Sequence, residues 1–531
     1  MTKVTKEPLM TVHDDIEPSL SLINAHNTGT KGEKKLIVFV SCLIGGNEPH
    51  GQLVREVIKR LPSRLFETSA IGIGSIPPAK DFISVLTGEF YSAGNDREKV
   101  RSLLTLLRPD ALVFIENLNC PIMHYLAFQR FAPIQVLLMG APLTGGIPTI
   151  DYFLSGDRLE HVSSTAGTTT FEIAILSHIR FFCLKPLRTQ ASGDLSHLEP
   201  YTEQVVLFDG QAISFPKEQS HPRQDSLLAA GEAAGISSYN VVDNTTLLEY
   251  SNKFTIESMI YDEFNVPVVE GNIYMCFQNL FKIQPIFDSV IASILHGDPN
   301  GHVVLQAARI NHKTDIVKQR IKRYIVSSVC DGMTKHDDIC NTAHELLYRI
   351  HFIPRVQSNQ LAGLFKRATV ILQPFPFGGS KTASDILGSG VPLVTFPQRY
   401  LKGRMASTFY STLALHEIDP GVKSSICCVA SSIGDYISKS LRLGMDSAYR
   451  NRVASAIDVR KERIFNDVET SFEWARFLSR AMGVTVRDDD LALEMKFVRE
   501  EWQTPEFHQN LMSDQQSVWK RAKMEAFMQT R

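Results

Sequence analysis

A chain of 531 residues is too long for one hydrophobic core, so two or more domains are expected. Its apolar fraction of 44%, charged fraction of 21% and formal net charge of -2 exclude a strongly basic or acidic protein and give no reason to expect nucleic acid or an anionic membrane as partner. The eight cysteines are scattered, which reads as reduced thiols in a cytoplasmic or nuclear setting rather than a disulfide framework.

Residues 1–34 are polar and mixed in charge, with no apolar run of signal-peptide type, and read as a disordered arm. From Lys35 the pattern alternates. "KLIVFVS" is strand-like, "HGQLVREVIKRL" has helical spacing, "LFETSAIGIG" is a strand, and "DREKVRSLLTLL" is a helix with acids early. "DALVFIE", the Pro-opened "PIMHYLAFQRF" and "APIQVLLMG" continue it as strand, helix and strand. Alternation fails between about Asp157 and Gly271, a Ser/Thr/Gly/Gln-rich region read as an insertion, part of the first domain's edge and a linker.

The pattern resumes at "NIYMCFQ" and runs through "PIFDSVIASIL", "GHVVLQAA", "TDIVKQRIKRYI", "LYRIHFIP", "NQLAGLFKRA", "TVILQP", "VPLVTF" and "GRMASTFYSTLAL"; from about Ser432 the chain reads as helical. Strands alternating with helices predict parallel sheets covered on both faces. The expected architecture is α/β: two doubly wound domains in tandem and a helical tail. The boundaries are 1–34 for the arm, 35–215 for the first domain with an insertion near 157–197, 216–270 for the linker, 271–483 for the second domain and 484–531 for terminal helices. No apolar run reaches the roughly 18 residues of a membrane span.

The stretch "ILQPFPFGGSKTASDILGSGVPLVTF", Ile371 to Phe396, delivers a strand to the sheet edge where ligands bind in open parallel sheets. Gly378 and Gly379 permit close backbone approach, and Ser380 or Lys381 then opens a helix whose free N–H groups attract an anion. Lys381, Thr382 and Asp385 share a helix face, which suits a diphosphate at Ser380–Thr382 and ribose hydroxyls on Asp385. On spacing alone a surface Lys381–Asp385 ion pair is the commoner arrangement. A Walker A loop is excluded, because Ser380 stands where that motif needs glycine.

This stretch resembles the sugar-nucleotide segment of the O-GlcNAc transferase family, in wording closest to the bacterial adhesin-modifying N-glucosyltransferases. "RFAPIQVLLMGAPLTGGIPTIDYFLSG", Arg130 to Gly156, resembles the family's A-P-x-Q…G-x-P-x-T…D-Y block, and "YMCFQNLFKIQP", Tyr274 to Pro285, its strand and lysine-ended loop. The resemblance covers roughly Lys35 to Gly483 outside the middle insertion. It implies a GT-B fold, two Rossmann-like domains facing a cleft. It also implies an inverting, metal-independent hexosyltransferase that moves GlcNAc or glucose from a UDP-sugar to Ser/Thr or Asn side chains of proteins, with no cofactor. Lys282 would contact the donor diphosphate, Asn279 the uracil or phosphate edge, Ser380, Lys381 and Thr382 the phosphates, and Asp385 the ribose. His50, in "GGNEPHGQLV", would face the donor as base or phosphate ligand. The pattern departs at Ala141, where many relatives carry a polar or aromatic residue, and in "FIPRVQSNQLAGL", which lacks a histidine. A catalytically weak relative that binds a nucleotide-sugar or a protein, and a GT-B sugar-nucleotide epimerase, are the alternatives.

Two further clusters read as structural. "RDDDLALEM" is a solvated acidic face. "CDGMTKHDDICNTAHEL" looks like a loop; its Cys330, His336, Cys340 and His344 match no common zinc spacing, and no metal site is expected. Adjacent Cys427 and Cys428 lie in an apolar run and are read as core.

Overall fold

The computed structural model describes residues 34–44, 49–74, 80–116, 120–138, 145–160, 203–208, 211–215, 261–330, 336–356, 360–397, 400–413, 415, 427–465, 467–487 and 490–491. The N-terminal arm, Ala141, the segment 161–202, the linker 216–260 and the terminal residues 492–531 lie outside them. So does Gln357–Asn359, where the family histidine is missing.

Two parallel sheets form the molecule. The first has seven strands in the order β3-β2-β1-β4-β5-β6-β7. These are Lys35–Ser41 (β1), Phe66–Ile73 (β2), Phe90–Gly94 (β3), Ala111–Phe114 (β4), Ile134–Leu138 (β5), Tyr152–Gly156 (β6) and Gln204–Phe208 (β7). The second has five in the order β10-β9-β8-β11-β12: Ile273–Cys276 (β8), His302–Gln306 (β9), Ile350–Ile353 (β10), Val370–Leu372 (β11) and Leu393–Val394 (β12). Central strands read as unbroken apolar runs because helices cover both faces: Ile37, Val38, Phe39 and Val40 are all fully buried. This is the expected two-domain α/β fold of GT-B type.

The Arg130–Gly156 block does structural work at the β5–β6 edge. The Gln135 amide donates to Gln129 O and Thr149 O at 3.0 Å each and accepts from Phe131 N at 2.8 Å. Asp151 accepts from Arg130 Nη2 at 2.9 Å and from Gln135 N at 2.8 Å. β7 adds to β6 in register Tyr152↔Gln204 to Gly156↔Phe208, so an apolar island in the non-alternating region completes the first domain's edge.

Three features differ from the sequence reading. The Val468–Ala481 helix follows the second sheet in sequence but packs on the first. There the Trp474 indole donates to Ala212 O at 2.9 Å, and its ring meets Phe39 and Phe208. The segment read as a loop after Cys330 is helical over His336–Tyr348, because Ala343 and Leu346 recur at helical spacing and are buried. Finally, Cys42 and Cys120 are joined in a disulfide, Cα–Cα 6.3 Å, against the expectation of thiols throughout. They are 78 residues apart, but β1 and β4 pair, which brings the residue after β1 beside the one that opens the Pro121–Ala127 helix. Cys427 and Cys428 are buried thiols, as read. Among the described residues no helix is long and apolar enough to cross a membrane.

Candidate nucleotide-sugar site

β8 and β11 are neighbours in the second sheet, so the turns leaving their carboxyl ends meet. From β8 the chain passes Gln278 and Asn279 into a 3-10 turn, Leu280–Lys282. From β11 it passes Gly378 and Gly379 into the Lys381–Gly388 helix. Lys282 joins the two turns: its Nζ donates to Gln278 Oε1 and to Gly378 O, each at 2.8 Å. Two of its three protons are thereby fixed, and the ammonium is held at the helix entrance. Burial, then the charge of Lys402, pushes Lys282 down to about 8.

The glycines are required by close approach. A Cβ on Gly378 would stand 1.7 Å from Gln373 Nε2, and one on Gly379 would stand 2.4 Å from Gln278 Nε2. Ser380 is the N-cap residue, yet its side chain makes no capping hydrogen bond. The first turn therefore keeps N–H groups that a cap would otherwise occupy.

The other predicted residues are placed as follows. Lys381 donates to Asp385 in an ion pair whose side chains are only 10% and 8% exposed, so the pair is formed but is not a surface pair. Thr382 is half-buried beside it. The Asn279 amide oxygen accepts from Arg355 Nη1 at 2.7 Å, a partner that lies in another strand–helix connection and that spacing did not join to it. His50 lies in the first turn of the Pro49–Ile58 helix; its side chain is outside the described residues. That helix contributes Leu53 and Val54 to a cavity between the sheets, with Ile115 beside them and Ser380, Lys402 and Met405 from the second half. His50 and Ser380 are thus carried by elements that border one cleft.

Sequence reading missed Glu116 and Lys402. Glu116 follows β4, is fully buried, and accepts from Ser41 Oγ at 2.7 Å and Leu43 N at 3.2 Å, and also from Cys42 N. Burial pushes its carboxyl up to about 7, an effect that these hydrogen bonds and Lys402 partly offset. Lys402 opens the Leu401–Leu413 helix, and burial lowers its ammonium while Glu116 opposes the shift. Acid at a strand's carboxyl end is a readable signal; a lysine in "RYLKGR" looks like any solvated charge. Among the described residues no group of three His, Cys, Asp or Glu side chains could hold a metal ion. The side chains of Cys330, His336 and Cys340 are outside that description.

No protein-family model and no curated protein matches the sequence. The fold is similar to that of an O-GlcNAc transferase variant from Thermobaculum terrenum, with TM-score 0.56 and 17% identity over 86% of this chain and 69% of that one. Weaker matches include Anabaena HepE in complex with UDP and glucose, TM-score 0.42 at 11% identity over 84% of this chain and 100% of that one. Another is the pneumococcal O-GlcNAc transferase GtfA in complex with UDP and GlcNAc, TM-score 0.34 at 11% identity over 73% of this chain and 60% of that one.

Proposed function

We propose that this chain is a UDP-sugar-dependent glycosyltransferase, and that Lys282 binds the donor diphosphate. The observation that carries the reading is the Lys282 ammonium, two of its donors fixed on Gln278 and Gly378, held at an uncapped helix start on the carboxyl edge of a parallel sheet. Cleaving a sugar–phosphate bond leaves charge on UDP. A fixed ammonium and a row of backbone N–H groups stabilise that charge without reorganising. In this reading Ser380, Lys381 and Thr382 present the helix start, Asp385 and Asn279 border the nucleoside, and the reaction needs no metal or other cofactor. The acceptor enters from the first domain's side, where His50 takes its proton or contacts phosphate. The sugar is GlcNAc or glucose; a Ser/Thr or Asn side chain of a protein attacks its anomeric carbon and displaces UDP with inversion. The similarity of the fold to an O-GlcNAc transferase supports this choice of reaction class.

Incubating the protein with UDP-GlcNAc or UDP-glucose and lysate proteins, with mass-spectrometric detection of added hexose or N-acetylhexosamine, tests the activity. The expected result is transfer that survives EDTA and is lost in Lys282→Ala. UDP binding with no transfer to any protein and no release of UDP would favour the second reading, a nucleotide-sugar-binding module of low activity. The Lys381–Asp385 pair favours that reading, because it engages the carboxylate assigned to ribose.

A further inference from the structure

Gly378 is held from both sides of its residue. Its carbonyl accepts from Lys282 Nζ at 2.8 Å, and its N–H donates to the Lys402 carbonyl at 3.2 Å. Two lysines from separate turns are thus tied to one residue, two positions before the Ser380 cap. Lys402 and Ser380 also line the same cleft. Among the described residues the Lys402 ammonium has no hydrogen-bond or ion-pair partner; the acid whose charge reaches it is Glu116, from the other sheet. Glu116 cannot follow Lys402, because Ser41, Cys42 and Leu43 fix its carboxylate at the end of β1. A third donor stands at the same place: Gln373 Nε2 is buried, has no hydrogen-bond partner among the described residues, and packs where a Gly378 Cβ would be.

Lys402 meets Gly378 through its main-chain carbonyl, and its ammonium lines the cleft beside Ser380; its charge opposes that of Lys282, and both ammonium groups lose hydration on burial. A multiply charged anion between them relieves both costs. Lys282 spends two donors on the protein, whereas the Lys402 ammonium spends none among the described residues, so Lys402 is the more available of the two.

We propose that Lys402, which lines the cleft beside Ser380 and is tied through its main chain to Gly378, is a second cationic ligand of the donor diphosphate. This rests on the reading of the site as a UDP-sugar site. It adds a residue from the Leu401–Leu413 helix to that site and links donor binding to an acid of the opposite sheet. Among the described residues Glu116 makes no hydrogen bond or ion pair to Lys402; it acts on the lysine through its charge alone, as a competitor of the diphosphate.

Calorimetric titration of the full chain with UDP and with uridine tests the proposal on wild type, Lys402→Met and Glu116→Gln. Lys402→Met is expected to weaken UDP by roughly 10- to 100-fold, the range for a hydrogen bond between charged groups, while uridine affinity changes by less than about 2-fold. Glu116→Gln, which removes the competing charge, is expected to leave UDP binding as tight or tighter. Failure of wild type to bind UDP overturns the site and this proposal together. Tight UDP binding by both wild type and Lys402→Met overturns the proposal alone, as does an equal loss of UDP and uridine, which marks a structural role. If Lys402→Met does not fold, Lys402→Gln takes its place, with the same loss expected for UDP and not for uridine and with Lys402→Arg, which keeps the charge, expected to retain UDP; unchanged UDP affinity in Lys402→Gln overturns the proposal.

Discussion

At the residue scale, Lys282 is a cation whose charge is costly where it stands. Burial and Lys402 lower its pKa to about 8, so a measurable fraction is neutral in mildly alkaline buffer. The sign is definite: protonated Lys282 attracts diphosphate, neutral Lys282 does not. UDP affinity is expected to fall as pH rises through about 8, more steeply in wild type than in Lys282→Met, as followed by calorimetry. An equal slope in both would separate the lysine from the ligand. Gly378→Ala is a steric test of the same corner. The added Cβ would meet Gln373 Nε2 at 1.7 Å and must displace the residue that holds both lysines. We expect a stability loss of about 1–3 kcal/mol by thermal denaturation, together with weaker UDP binding. The strand, the glycine turn and the helix start of this corner were legible in sequence, although spacing alone favoured an ordinary ion pair there over a ligand site. The burial of the Lys381–Asp385 pair was not legible. The i,i+4 spacing names the partners but not what covers them, and here both side chains are nearly enclosed.

At the element scale, β9 and β10 are held by more than their ladder. His302 and His351 stack at 5.3 Å between ring centroids, with Nδ1 of one 3.0 Å from Nε2 of the other, and Tyr261 lies against His351. Burial, then Arg349, lowers His302 to about 4; burial, then His302, lowers His351 to about 3; Asp298 opposes the shift at His302. The unfolded chain takes up these protons near the ordinary imidazole value of about 6.5, the folded chain only at the lower values. Their contribution to stability is therefore complete above about pH 6.5 and declines as pH falls toward about 4. A melting-temperature series should show that decline, and a His302→Gln, His351→Gln double variant should lessen it. An unchanged pH slope in the double variant would remove the pair from the account. The elements themselves were mostly legible, since buried parallel strands are continuous apolar runs. The exceptions have physical reasons. β3, "FYSAG", is a partly exposed edge strand carrying serine and glycine, and it lacks the apolar signature. The His336–Tyr348 helix opens with His-Asp-Asp, and its apolar spacing of Ile339, Ala343, Leu346 and Leu347 is interrupted by polar residues and preceded by a glycine-containing stretch that reads as a loop.

At the scale of the whole molecule, the two sheets are joined by a buried ion pair. Arg404 Nη2 lies 3.1 Å from Glu160 Oε2, with side chains 6% and 1% exposed, and Ser155 Oγ donates to the same carboxylate at 2.6 Å. Removing one partner leaves the other charge buried. Arg404→Leu is expected to cost about 3–5 kcal/mol, and an Arg404→Leu, Glu160→Leu double variant less. Equal losses by denaturant titration would show that packing, not charge, sets the cost. The order of two α/β domains was readable along the chain. The return of the Val468–Ala481 helix to the first sheet was not, because periodicity marks an apolar face without saying which sheet receives it.

The central claim is that the corner around Lys282 and Gly378 binds the diphosphate of a UDP-sugar. The most direct measurement is titration of UDP and uridine into wild type and Lys282→Met by calorimetry. The account predicts that wild type binds UDP more tightly than uridine, and that Lys282→Met loses roughly 10- to 100-fold for UDP and little for uridine. UDP binding of equal strength in both proteins, or none in the folded wild type, would contradict it.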